Sequence, residues 1–217
     1  MTAQEIIDAV KEINGESDID DTTLFNFIKL VIRELVNLTN PEDKRFIVWK
    51  WLEATTTYQT ENGVFSIAFS ASKWPAAALT NYSRNMRIVS SASNGDGGSL
   101  ELSSVDILMG KKLNFPETGV PREFAIFNNT LYLHKTPITG SLPLLTLYYQ
   151  KILDFTNFST SSDMTTFFGI KESYHVFFID AILAKVFSRI GDTREVEYKE
   201  RWYKQHIPVM ILDNSLE

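Results

Sequence analysis

The sequence predicts an α+β fold: an α-helical bundle, built from N-terminal helices plus a C-terminal helical pair, that carries a β-rich antiparallel insertion. Three observations predict it. Apolar residues recur at helical spacing near both ends, in Ile6, Ile7, Val10 and Ile13 and again from Tyr174 to Phe187. Between them, Thr118 to Tyr149 reads as a β-meander with turn chemistry at each corner. At Ala54 the apolar period changes from that of a helix to that of a strand. The boundaries that follow are residues 1–53 for the N-terminal helices, 54–153 for the β-rich part, 154–208 for a connector and the helices completing the bundle, and 209–217 for a C-terminal tail.

The first helix is expected from Ala3 to Ile13, because Thr2 and Glu5 have the spacing of a capping box and Gly15 supplies a left-handed stop. Asp18, Asp20 and Asp21 are placed to cap a second helix, in which Leu24, Phe27, Ile28, Val31 and Leu35 recur up to Asn40. Asn40-Pro41-Glu42-Asp43 then reads as N-cap, N1 proline and acidic first turn of a third helix through Phe46, Trp49 and Leu52. Thr55 to Thr60 favours a strand, Asn62-Gly63 is a hairpin pair, and Phe65, Ile67 and Phe69 alternate with small residues. Further strands are expected at Met86 to Ser91, Leu100 to Leu108, Phe124 to Phe127, Thr130 to Lys135 and Leu142 to Ile152. Asn128-Asn129 can take the positive φ of a tight hairpin. Ser90 to Ser99 is small and polar, a projecting loop, and Phe155 to Phe168 is a polar surface connector with aromatic anchors.

Glu172 to Ile190 is apolar almost all round, which places a helix at the centre of the fold or at a subunit contact. Gly191 ends it. Asp192 and Glu195 open a fifth helix, stiffened by the acid-first pairs Glu195/Lys199, Glu197/Arg201 and Glu200/Lys204, and Pro208 is expected to close it.

Composition excludes several classes of function. The 217 residues contain no cysteine, so disulfide frameworks, thiolate zinc sites and cysteine nucleophiles are out. The amino terminus lacks the basic start and apolar stretch of a secretory signal, which points to synthesis in a cytoplasm, and the most apolar stretch, Val176 to Phe187, falls short of the roughly 20 residues of a membrane span. A formal charge of −6 is the wrong sign for a broad grip on nucleic acid.

No Walker loop, dinucleotide fingerprint, nucleophile elbow or His-Glu-x-x-His stands in the chain. His134, His175 and His206 are the only imidazoles, each on a separate expected element, where packing or a surface place outweighs catalysis. The run Asn94-Gly95-Asp96-Gly97-Gly98 lacks the ligand spacing of a calcium loop, and the aspartates before the second helix serve better as caps than as metal ligands. The chain is therefore expected to be no enzyme, with no catalytic residue, metal or cofactor.

The order of helices, Thr-rich strand, Thr118-Gly119-Val120-Pro121 segment, Leu147-Tyr148-Tyr149 strand, apolar helix and charged helix with Tyr198, Arg201, Trp202 and Tyr203 resembles the head-to-tail adaptors of tailed bacteriophages, over about residues 41 to 207. That resemblance implies a virion structural protein assembled in the host cytoplasm and located at the head-tail junction. It implies a ring of copies, a dodecamer, beneath the portal protein, extending a lumen through which DNA passes without specific binding, and docking a tail or nozzle protein. Under it, Met210, Ile211, Leu212 and Leu216 are the expected portal contacts, Phe177, Phe178 and Trp202 the contacts between copies, and Asn94 and Asp96 the tail contacts. Two other readings use the same residues: a virion β-module that binds carbohydrate or another protein, and, more remotely, a cell-wall hydrolase with paired carboxylates.

Overall fold

The computed structural model describes residues 1–15, 19–39, 46–69, 82–91, 97–140 and 142–216, and the chain is α+β. Contacts divide it into two units, Met1–Leu52 with Leu153–Glu217, and Glu53–Ile152.

The first unit is helical. Its α1 (Ala3–Asn14) starts on a complete capping box: Thr2 Oγ1 accepts the Glu5 N–H, and Glu5 accepts the Thr2 N–H at 2.7 Å. α2 (Asp21–Val36) starts at Asp20, whose carboxylate accepts the Thr23 N–H at 2.8 Å. Ile6, Ile7 and Val10 of α1 and Leu24, Ile28, Val31 and Leu35 of α2 are buried in one core with α5 (His175–Ile190). α5 is the central helix, and Phe178, Leu183, Val186 and Phe187 are covered by their own unit. At its end Gly191 takes φ 72°, a conformation that glycine adopts without penalty.

The expected third helix differs. Its cap and first turn, residues 40–45, lie outside the described residues, and from Phe46 to Trp49 the chain is not helical. Phe46 bridges Thr39, Ile47 N–H donates to the Leu38 carbonyl at 3.0 Å, and only Lys50–Leu52 form a short 3₁₀ turn. The physical reason is a burial period of two: Ile47 and Trp49 face the core while Phe46 and Val48 face out. The Trp49 indole N–H completes the seam by donating to the Leu35 carbonyl at 3.0 Å.

The connector from Phe155 also goes deeper than a surface path. Phe158 and Phe168 are buried, and with Phe25, Phe155 and Phe167 they form an aromatic cluster around α4 (Met164–Phe168).

At the C-terminal end, α6 (Arg194–Glu200) runs through a π-helical turn at Arg201–His206 into α7 (Ile207–Leu216). Pro208 does not close the helix. In a regular α-helix its ring would press on the carbonyl four residues back, and the wider turn immediately before it relieves that contact. Residues 209 to 216, expected as a tail, are therefore helical.

The second unit holds two four-stranded sheets. β1 (Glu53–Gln59), β8 (Leu144–Lys151), β3 (Tyr82–Ser91) and β4 (Gly98–Ser99) form one, entirely antiparallel. β2 (Ser66–Ala68), β7 (Thr130–Leu133), β6 (Glu123–Phe127) and β5 (Glu101–Leu102) form the other, in which only β5 and β6 run parallel. Tyr58, Ile88, Leu145 and Leu147 from the first sheet share a core with Ile67, Phe124, Leu131 and Leu133 from the second. Asn62-Gly63 is a turn, but it passes the chain from one sheet to the other instead of pairing β1 with β2. The Asn128-Asn129 hairpin is present, with φ 45° and 55° and Phe127 opposite Thr130.

The strand expected from Leu100 to Leu108 is only two residues long before the chain turns into α3 (Val105–Asn114). Ser104 caps this helix by accepting the Ile107 N–H, Asp106 sits in its first turn, and Lys111 and Lys112 sit in its last. Leu108 is its one buried side chain, so a helix carried by its caps shows little apolar periodicity.

Candidate functional site

The three histidines are structural in setting. His175 is fully buried: its Nδ1 accepts from the Met1 amino group at 2.8 Å, and its Nε2 faces Thr165 Oγ1 at 3.2 Å and the Ile170 carbonyl at 3.3 Å. Burial first, and the charge of that amino group second, hold its pKa below the usual imidazole value. His206 Nε2 donates to Asp180 at 2.7 Å and the ring stacks on Phe177 at 4.3 Å. His134 lies just past β7, where its Nδ1 accepts the N–H groups of Arg122 and Glu123 at 3.1 and 3.0 Å. Burial lowers its pKa as well. Among the described residues no three of His, Asp or Glu lie together as a metal site, and no helix is long and apolar enough to cross a membrane.

The residues expected to contact other chains fall in three regions. The first is α7. Met210 is 0% exposed, inside the core of its own unit, and Ile211 packs against that core. Asp213 is held by Lys171 at 2.7 Å and by the Tyr174 hydroxyl, which together keep its carboxyl below the usual range. Asn214 accepts the Lys50 N–H and donates to the Val48 carbonyl, both at 2.8 Å. The helix is thus fastened along one side, and its free side shows Val209, 51% exposed, and Leu212, 62% exposed, three residues apart. Sequence reasoning brought Leu212 forward but missed Val209, which only the continuation of the helix past Pro208 aligns with it.

The second surface is the region of α5 and the π-helical turn. Phe178 and Trp202 touch each other, with ring centroids 5.9 Å apart, and both are buried in their own unit. Phe177 is partly exposed, with Val176 beside it more so. Outside them the ridge of α6 is laced by the expected pairs Glu195–Lys199, Glu197–Arg201 and Glu200–Lys204.

The third is in the β-rich unit. The β3–β4 pair closes with Val89 opposite Ser99 and Ser90 opposite Gly98; Asn94 and Asp96, expected as tail contacts, lie outside the described residues. Gly97 fixes its base, since a Cβ there would meet the Ser90 carbonyl oxygen at 2.5 Å. Beside it, two concavities of about 490 and 340 Å³ share Arg122 and Glu123 as lining. No sequence signal pointed to this groove, because its residues come from four separate elements.

Charge is divided unevenly. The helical unit carries 20 Asp and Glu against 13 Lys and Arg, the β-rich unit seven against eight. The acidic balance of the chain is a property of its helical unit as a whole.

No curated protein matches the chain. Residues 1–205 match the SU10 adaptor protein family. A match over nearly the whole length joins the helical and β-rich units in one family pattern, and the chain belongs to the SU10 adaptor protein family, of phage head-to-tail adaptors.

Proposed function

We propose that the protein is a virion structural component that forms a ring, a dodecamer, beneath the portal, extends the DNA channel and docks the tail. The family match over residues 1–205 carries this reading. The exposed Val209 and Leu212 on the free side of α7 support a portal contact by an apolar helix face, with Ile211 at its margin and Met210 holding the helix from beneath; Leu216 is proposed to join that contact. Contacts between copies are assigned to the exposed surround of Phe177 and Val176, with Phe178 and Trp202 shaping it from inside. The β3–β4 hairpin, through Asn94 and Asp96, is the tail contact. The acidic helical unit suits a channel wall along which DNA slides without being held. A structural role of this kind asks for no catalytic residue.

Negative-stain imaging with sedimentation, on the chain mixed with the portal protein encoded near it, tests the proposal. A twelvefold collar added to one face of the portal is the expected result. No association at several salt concentrations overturns it and favours a virion β-module with a glycan or protein ligand.

A further inference from the structure

Among the described residues, the groove shared by Arg122 and Glu123 contains donors without acceptors. Lys111 is paired with Glu123 at 2.7 Å and Lys135 with Glu117 at 2.9 Å, so those four charges are spent on one another. Among the described residues the Arg122 guanidinium has no acid partner, although it lines both concavities. His134 adds a second donor. Because its Nδ1 accepts two backbone N–H groups, the ring proton must sit on Nε2, for which no acceptor stands among the described residues. Phe115, 74% exposed, walls the same groove with an uncovered aromatic face.

What would fit is set by charge. Three carboxylates, Glu101, Glu117 and Glu123, share the lining with the three cations, so the groove carries no net positive charge and repels an extended polyanion as much as it attracts one. A single carboxylate with apolar neighbours meets every open valence: two charge-assisted donors for its oxygens and an aromatic wall for what flanks it. We infer that this groove is a carboxylate-recognition site for a protein partner, in which Arg122 and the His134 Nε2–H grip one acidic side chain and Phe115 covers the apolar residue beside it. The site goes beyond ring formation and does not depend on it, so its failure would leave the collar experiment untouched.

The test uses the full chain and a capped five-residue peptide with one glutamate between two leucines, followed by ¹H–¹⁵N spectra of the arginine Nε–H and histidine ring signals. Saturable shifts of Arg122 and His134 in the millimolar range are expected. They should be absent with the glutamine version of the peptide, weaken at least tenfold in Arg122→Ala, and strengthen in Glu101→Gln. Arg122 and Glu101 are exposed, so neither variant threatens the fold. No shift with the glutamate peptide, or equal shifts with the glutamine peptide, overturns the inference. Stronger shifts with inorganic phosphate or duplex DNA overturn it in favour of a phosphate site.

Discussion

The imidazole of His175 sits among an amino group that donates to it and a hydroxyl and a carbonyl that accept from it, a set of partners that fits only the neutral ring. Its pKa in the folded state lies below the unfolded value, so the unfolded chain takes up the proton first as acid is added. The stability this contributes is complete above the unfolded value of about 6.5 and is lost as pH falls through the lower folded value. His134 in the β-rich unit acts with the same sign. The depressed carboxylates, Asp20, Asp163 and Asp213 among them, lose their contribution only below about pH 4, so the two windows separate. Urea midpoints followed by circular dichroism should therefore fall between pH 7.5 and 5, and His175→Gln should flatten that slope while lowering the midpoint at pH 7.5. An unchanged slope would remove His175 as its source. Little of this was legible beforehand, since a histidine at the start of an apolar helix carries no mark of what will approach it from 160 or more residues away.

Among the elements, α7 shows most plainly what a local reading cannot supply. Proline is a fair stop signal by itself, and it fails here because the turn before it widens. Once the helix continues, Met210 becomes core and Asp213 and Asn214 become fastenings, so removing residues 209–217 should weaken the helical unit by about 2–5 kcal/mol. Val209→Asp with Leu212→Asp is the cleaner probe of the free face, expected to change stability by less than about 1 kcal/mol while abolishing association with portal. Chemical denaturation beside co-sedimentation distinguishes these outcomes, and retained association of the double variant would withdraw α7 from the portal contact. The helices with strong apolar stripes, α1, α2 and α5, and the Asn128-Asn129 hairpin were all legible, because local chemistry and the core agree there. α3 and the Phe46 to Trp49 segment were not. The first is carried by Ser104 and its caps more than by periodicity, and the second is pinned by the Trp49 indole to a carbonyl 14 residues earlier.

At the scale of the molecule, two cores are built from different parts of the chain, one by residues on both sides of an interruption and one by the interruption itself. Residues 53–152 expressed alone should fold: a β-rich dichroism spectrum and one cooperative unfolding transition are expected, and a featureless spectrum would show that the unit borrows stability from the helices. The change of period at Ala54 made the start of β1 legible to within a residue, whereas the division of strands between two sheets was not, since Asn62-Gly63 has the same chemistry whether it closes a hairpin or crosses between layers. The β-rich unit also begins and ends on neighbouring strands, with Glu53 opposite Gln150 in the β1–β8 ladder. A segment whose entrance and exit already adjoin is a cassette: it can be lengthened, shortened or exchanged whole while the two halves of the helical unit keep the same short gap to bridge.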